Sequence, residues 1–183
     1  MTSDRKTNVS VGYANAVGVV LLIVIAALVA AVFIAIWGLD RLAAGFGTLA
    51  DTNPFVLLGG LFISIAVHEL LHGVGFVMGG LSWRDVKFGV FWEALTPYAT
   101  SPVPMRVHTY RVATSLPGVV LGLVPAIIGV ATGNGAVTVY GAFMLAAAGG
   151  DAIVLWVTRH LAKDVLVRDC KGAVGCDVIE PES

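Results

Sequence analysis

Charge is scarce in this 183-residue chain: Asp, Glu, Lys and Arg make up 13% of it, about half the share of roughly 25% found in a water-soluble domain. Cysteine is nearly missing, with Cys170 and Cys176 as the only two, which excludes a small fold stapled by several disulfides. An excess of one sign is lacking as well. The net charge is -1, without the basic footprint of a nucleic-acid binder, so no nucleic-acid partner is expected. Long polar stretches are also absent: outside four apolar runs the chain falls into pieces of 15, 16, 35, 3 and 26 residues, each below the roughly 40 that fold without staples. There is no internal repeat and no low-complexity tract.

What fills the chain instead is apolar residues, 57% of the total, with a mean hydropathy of +0.89. They concentrate in Ala16–Trp37, Pro54–Gly80, Leu116–Thr132 and Ala136–Val157, of 22, 27, 17 and 22 residues, each close to the roughly 20 that cross a bilayer as a helix. The pattern predicts an all-α membrane protein of about four transmembrane helices, spanning 16–37, 54–80, 116–132 and 136–157, in a single membrane-embedded domain over 1–183. The first run exceeds the 7–15 residues of a cleavable signal core and reads as an anchor. Trp37, Trp83 and Trp156 stand at ends of runs, at the level of the headgroups.

Placing both termini in the cytoplasm puts ten of the eleven Lys and Arg residues on the inside, as the positive-inside rule requires. The expected location is the cell membrane, with the lipid bilayer as an obligatory partner and both cysteines as free thiols on the reducing side.

Within the 88 residues of these runs the only acidic, basic or histidine residues are His68, Glu69, His72 and Asp151. A charged group at mid-membrane costs on the order of 3 kcal/mol, so such residues face the bundle interior and mark a functional site. Three of them form His68-Glu69-Leu70-Leu71-His72, the H-E-x-x-H pattern in which two histidines bind zinc and the glutamate serves as general base. At 100° per residue, positions 68 and 72 lie about 40° apart on a helix, so both imidazoles reach one ion, and Glu69 stands beside it. A zinc centre normally has three protein ligands. Asp151 is expected to be the third, since His68 and Asp151 lie 14 and 15 residues into spans of the same direction, at about 21–22 Å depth.

The expected cofactor is therefore one Zn2+ per chain, and the expected activity is that of a metalloendopeptidase acting on a membrane protein or peptide substrate near the cytoplasmic face. The alternative is a metal carrier or a non-catalytic zinc-binding scaffold. Glu93 and His108, in the 81–115 loop, are spare ligands, whereas His160 and Asp164 read as solvated surface groups. Apolar and β-branched residues around 86–92 and 96–100 suggest a short β-hairpin between helices 2 and 3. Pro125 predicts a kink in span 3. The 26 residues after Val157 read as a short helix running into an irregular tail.

The chain resembles a membrane-embedded zincin peptidase family classed among the domains of unknown function. The resemblance rests on His68-Glu69-Leu70-Leu71-His72-Gly73, Tyr110-Arg111 before Leu116-Pro117, Gly150-Asp151, and Asp169 with Gly175, and covers about residues 54–180. In motif logic it is also similar to the site-2 proteases, in which an H-E-x-x-H helix is completed by a distant Asp. The resemblance to the site-2 proteases implies His68, His72 and Asp151 as ligands and Glu69 as base.

Overall fold

The structure is a computed structural model, and it describes residues 7–91, 96–170 and 173–179. A two-residue strand β1 (Asn8–Val9) leads into α1 (Val11–Trp37), followed by α2 (Leu39–Ala50) and α3 (Pro54–Met78). A 3-10 turn at Trp83–Asp85 precedes the hairpin β2 (Lys87–Phe91) and β3 (Thr96–Thr100). The short strand β4 (Met105–Arg106) runs directly into α4 (Val107–Pro117), a π-helical turn at Gly118–Leu123 and α5 (Val124–Thr132). Then come α6 (Gly135–Ala147), α7 (Gly149–Thr158), β5 (Leu166–Asp169) and β6 (Val174–Val178).

Three helices, Gly12–Trp37, Pro54–Met78 and Val107–Thr132, are long and apolar enough to cross a membrane. The pair α6 and α7, bent by 46° at its break, is a fourth if taken as one span. Large apolar side chains such as Ile23, Leu28, Phe55, Phe62 and Ile63 are more than 60% exposed. Exposure on this scale is far beyond the patches a soluble monomer tolerates.

Several boundaries differ from those read in the sequence. The third helix begins at Val107 rather than Leu116, because its first turns carry His108, Thr109, Arg111 and Thr114, which depress hydropathy without breaking the helix. The expected kink near Pro125 takes the form of the π turn just before it: proline has no N–H to return to the carbonyl four residues back, so the ladder shifts register there. The fourth span breaks at Ala148, where Gly149 and Gly150 weaken the helix. Residues 39–50, counted as connection, form the amphipathic α2.

The expectation of an all-α protein needs correction. The β2–β3 hairpin is present, with Lys87 opposite Thr100 and Phe88 opposite Ala99. The tail past α7 is no helix: β5 and β6 join β1 and β4 in a four-stranded sheet of order β1-β6-β5-β4. Strands of two to five residues carrying Arg106, Arg168 and Asp177 have too little apolar alternation to stand out in the sequence.

The described chain divides into two compact units. One contains Met1–Ala16, Glu69–Leu116 and Gly150–Ser183. Its core is Phe76 of α3, Val107, Tyr110 and Ala113 of α4, Val154 of α7, and Val167 and Cys176 of the sheet. Here α3 and α4 approach to backbone contact: a Cβ on Gly75 would overlap the Ala113 backbone, and one on Gly79 would overlap Thr109. Asp169 ties the hairpin to β5, accepting from Thr100 Oγ1 at 2.6 Å and from the Ser101 N–H at 2.9 Å. Tyr110 donates from its buried hydroxyl to Gly175 O at 3.0 Å. The other unit, Val17–His68 with Pro117–Gly149, closes α5 onto α6 through Gly129 and Gly141. Gly133, at φ 66°, ends α5 in the left-handed conformation, and Trp37 Nε1 donates to Val130 O nearby at 2.7 Å.

Two outcomes follow from this packing. Gly75→Val should destabilise the protein by about 1–3 kcal/mol by forcing α3 off α4. Gly60→Ala, where a Cβ meets nothing within 4 Å, should be neutral or slightly stabilising, and reversible unfolding of the two variants side by side checks the contrast. The thiols give the second. Burial pushes Cys170 up to about 11 from 9.0, helped by the hydrogen bond it donates to Asp177 Oδ1 at 3.1 Å; burial and then the neighbouring Cys170 and Asp169 push Cys176 up to about 12. Both thiols hold their protons more tightly folded than unfolded, so this contribution to stability is complete below about pH 9 and is lost as the pH rises through 11–12. At pH 8 iodoacetamide should alkylate Cys170 about a hundredfold more slowly than a free cysteine, and Cys176 only on unfolding; fast labelling of both would contradict the buried sheet.

Candidate metal centre

His68, Glu69 and His72 stand on one uninterrupted stretch of α3. Each offers one ligand atom, and these atoms lie within 4.8 Å of one another. This is the one group of three or more such residues found among the described residues. The clustering is intrahelical, as the i and i+4 spacing of the histidines dictates.

The orientation of His72 comes from outside the helix. Its Nδ1 lies 3.0 Å from the Ala113 carbonyl oxygen, within reach because Gly75 lets α4 come so close. With Nδ1 as donor, Nε2 keeps its lone pair, which is how a metal-binding histidine is held by a backbone carbonyl. That Nε2 lies 3.3 Å from Asp151 Oδ1, and the two side chains are only 12% and 17% exposed. Two donors on one tetrahedral zinc, at bond lengths of about 2.0–2.1 Å, lie about 3.3 Å apart. Imidazole and carboxylate are zinc ligand types, and their spacing fits the ion.

Asp151 belongs to the first turn of α7. Gly75 and Gly79 face α4, and a Cβ at Gly150 would meet nothing within 4 Å. Beside the motif, a Cβ on Gly73 would meet Phe88, Trp83 and Val86 within 3.4 Å. The turn that presents Trp83 is closed by a capping box of Ser82 with Asp85.

The other candidates are placed as follows. His108 is exposed at the start of α4, with its backbone N–H bonded to Lys163 O at 3.0 Å. Glu93 lies outside the described residues. His160 and Asp164 are exposed, and Asp164 pairs with Arg106 at 3.6 Å, as expected of surface groups. Cys170 and Cys176 are free thiols of the sheet. Sequence reasoning missed the Ala113 carbonyl, which as a backbone atom leaves no trace in residue identity. Its signal was indirect: Gly75 and Gly79, four apart, announce a helix in close contact.

Residues 61–166 match the family described as putative zincin peptidase, a stretch that takes in the motif helix from Leu61, the hairpin, α4 and all of α7. No curated protein and no solved structure matches the chain. With more than half of its length matched, and the whole H-E-x-x-H motif inside the match, the chain belongs to the putative zincin peptidase family.

Proposed function

We propose that this protein is a zinc metalloendopeptidase embedded in a membrane, hydrolysing peptide bonds of membrane or membrane-proximal substrates near the cytoplasmic face. The observation that carries the reading is the pairing of His72 Nε2 with Asp151 Oδ1 at 3.3 Å, on a helix whose H-E-x-x-H donor atoms already converge. His68, His72 and Asp151 hold the one metal ion of the chain, and Glu69 is the catalytic base. Zinc bound there supplies Lewis acidity, polarising the scissile carbonyl and acidifying the attacking water. The Glu69 carboxylate accepts a proton from that water and delivers it to the amide nitrogen of the leaving group, which departs as a neutral amine. Ala113 fixes the His72 ring during this exchange, and Trp83 and Phe88 give the motif helix an apolar flank at Gly73.

The sheet supports four crossings. β1 leads into α1, β4 leads into α4 and β5 follows α7, yet all three are strands of one sheet. The starts of α1 and α4 and the chain after α7 therefore lie on one side of the bilayer, and an even number of crossings separates them. α1 and α3 supply two; the helix from Val107 and the bent α6–α7 pair supply the others. The distribution of the basic residues favours the cytoplasm for that side.

Glu69→Gln should keep about one zinc per chain while proteolysis falls by at least about 10²–10⁴-fold, read by metal analysis beside cleavage of a peptide library; cleavage near the wild-type rate would sink the mechanism. A carrier or scaffold, in contrast, would lose nothing on this substitution. Asp151→Asn should release zinc to mild chelation, while His108→Ala and Glu93→Gln hold it as tightly as wild type. If a loop variant releases it and Asp151→Asn does not, the third ligand comes from the loop. For orientation, a cysteine at Asn134 in a chain without Cys170 and Cys176 should be labelled from outside the cell and one at Ser183 should not; the reverse pattern would put the site toward the exterior.

A further inference from the structure

We infer that Arg111 is a positioning residue for the metal centre: by gripping the C-terminal end of α7 it sets the axial position of that helix, and so the distance at which Asp151 meets His72. The inference rests on the zinc reading above and adds to it a residue that makes no contact with the ion. Arg111 lies on α4, two residues before Ala113, and its guanidinium donates to Thr158 O, to Leu161 O at 3.0 Å and to Thr158 Oγ1 at 3.5 Å. Thr158 O and Leu161 O belong to the end of α7 and the turn after it, where helix carbonyls lack intrahelical partners and carry partial negative charge. A forked cation there is a strong, geometrically defined anchor, which a lysine cannot reproduce.

Such an anchor is needed. Asp151 stands seven residues before Thr158, about 10.5 Å along the helix, and a Cβ on the adjoining Gly150 would meet nothing within 4 Å. Ile153 and Val154 are buried and fix which face of α7 turns inward, but apolar contacts resist a slide along the axis weakly. A metal centre tolerates only about 0.2 Å in its ligand distances. α4 thus fixes both partners from one rigid segment, His72 through the Ala113 carbonyl and Asp151 through Arg111 and α7.

The test compares full-length wild type, Arg111→Lys, Arg111→Ala and Tyr110→Phe. The last removes a buried hydrogen bond of the neighbouring residue to Gly175 and controls for lost stability alone. Zinc affinity is measured by chelator competition, and coordination by the visible absorption of the cobalt-substituted protein. Both Arg111 variants should bind zinc about 10–100-fold more weakly, as is typical when a supporting partner of a ligand is lost, with an altered cobalt spectrum in the folded fraction. Tyr110→Phe should lower thermal stability and leave affinity and spectrum unchanged. Arg111 variants with wild-type affinity and spectrum, or a Tyr110→Phe protein that loses metal equally, would overturn the positioning role. Wild-type protein that takes up neither metal would remove the zinc reading itself, and the inference with it.

Discussion

The contact between α3 and α4 at Gly75 and Ala113 is the constraint on which the rest of the candidate site depends. Two helices that share a residue without a side chain approach until backbone touches backbone, and only at that distance does the Ala113 carbonyl reach His72 Nδ1. The bond settles which nitrogen His72 offers and where it aims, toward Asp151. It also makes a main-chain atom the support of the His72 side chain, with the small size of Ala113, fully buried at the contact, as the condition for the approach.

The same segment connects the site to the sheet. Successive residues of α4 point in different directions with different tasks: Thr109 meets Gly79, Tyr110 reaches the Gly175 carbonyl, Arg111 caps α7, and Ala113 holds His72. A helix with this much polar work cannot be uniformly apolar. That is why hydropathy alone starts the third span nine residues late, at Leu116 rather than Val107. The polarity that hides the helix from a hydropathy reading is the polarity that organises the site.

Legibility in the sequence followed physical range. His68, Glu69 and His72 were readable because their geometry is local: a helix of fixed pitch brings i and i+4 together whatever surrounds it. The helices long and apolar enough to cross a membrane were readable because that property is a sum over dozens of residues. Asp151 could be singled out as an ionisable group in an apolar run, and its closeness to His72 agrees with the depth argument. The four-stranded sheet was not readable, because strands as short as Asn8–Val9 and Met105–Arg106 are defined by their partners and not by their own composition. Nor was the break at Ala148, where a run of small residues is equally compatible with a straight helix.

The sheet has a temporal meaning too. Asn8 pairs with Gly175, so a strand made before α1 waits for a strand made after α7, with all the helices synthesised in between. Contacts of such sequence separation close late and slowly. Until β6 arrives, the Tyr110 hydroxyl lacks its Gly175 acceptor and the Cys176 position in the core is empty. The histidines of α3 are in place as soon as their helix forms, but the Ala113 carbonyl that holds His72 and the Arg111 cap on α7 belong to a segment whose contacts are completed only when the sheet closes. A site assembled in this order stays unfinished until the strand that follows α7 has been made and paired with the strand that precedes α1.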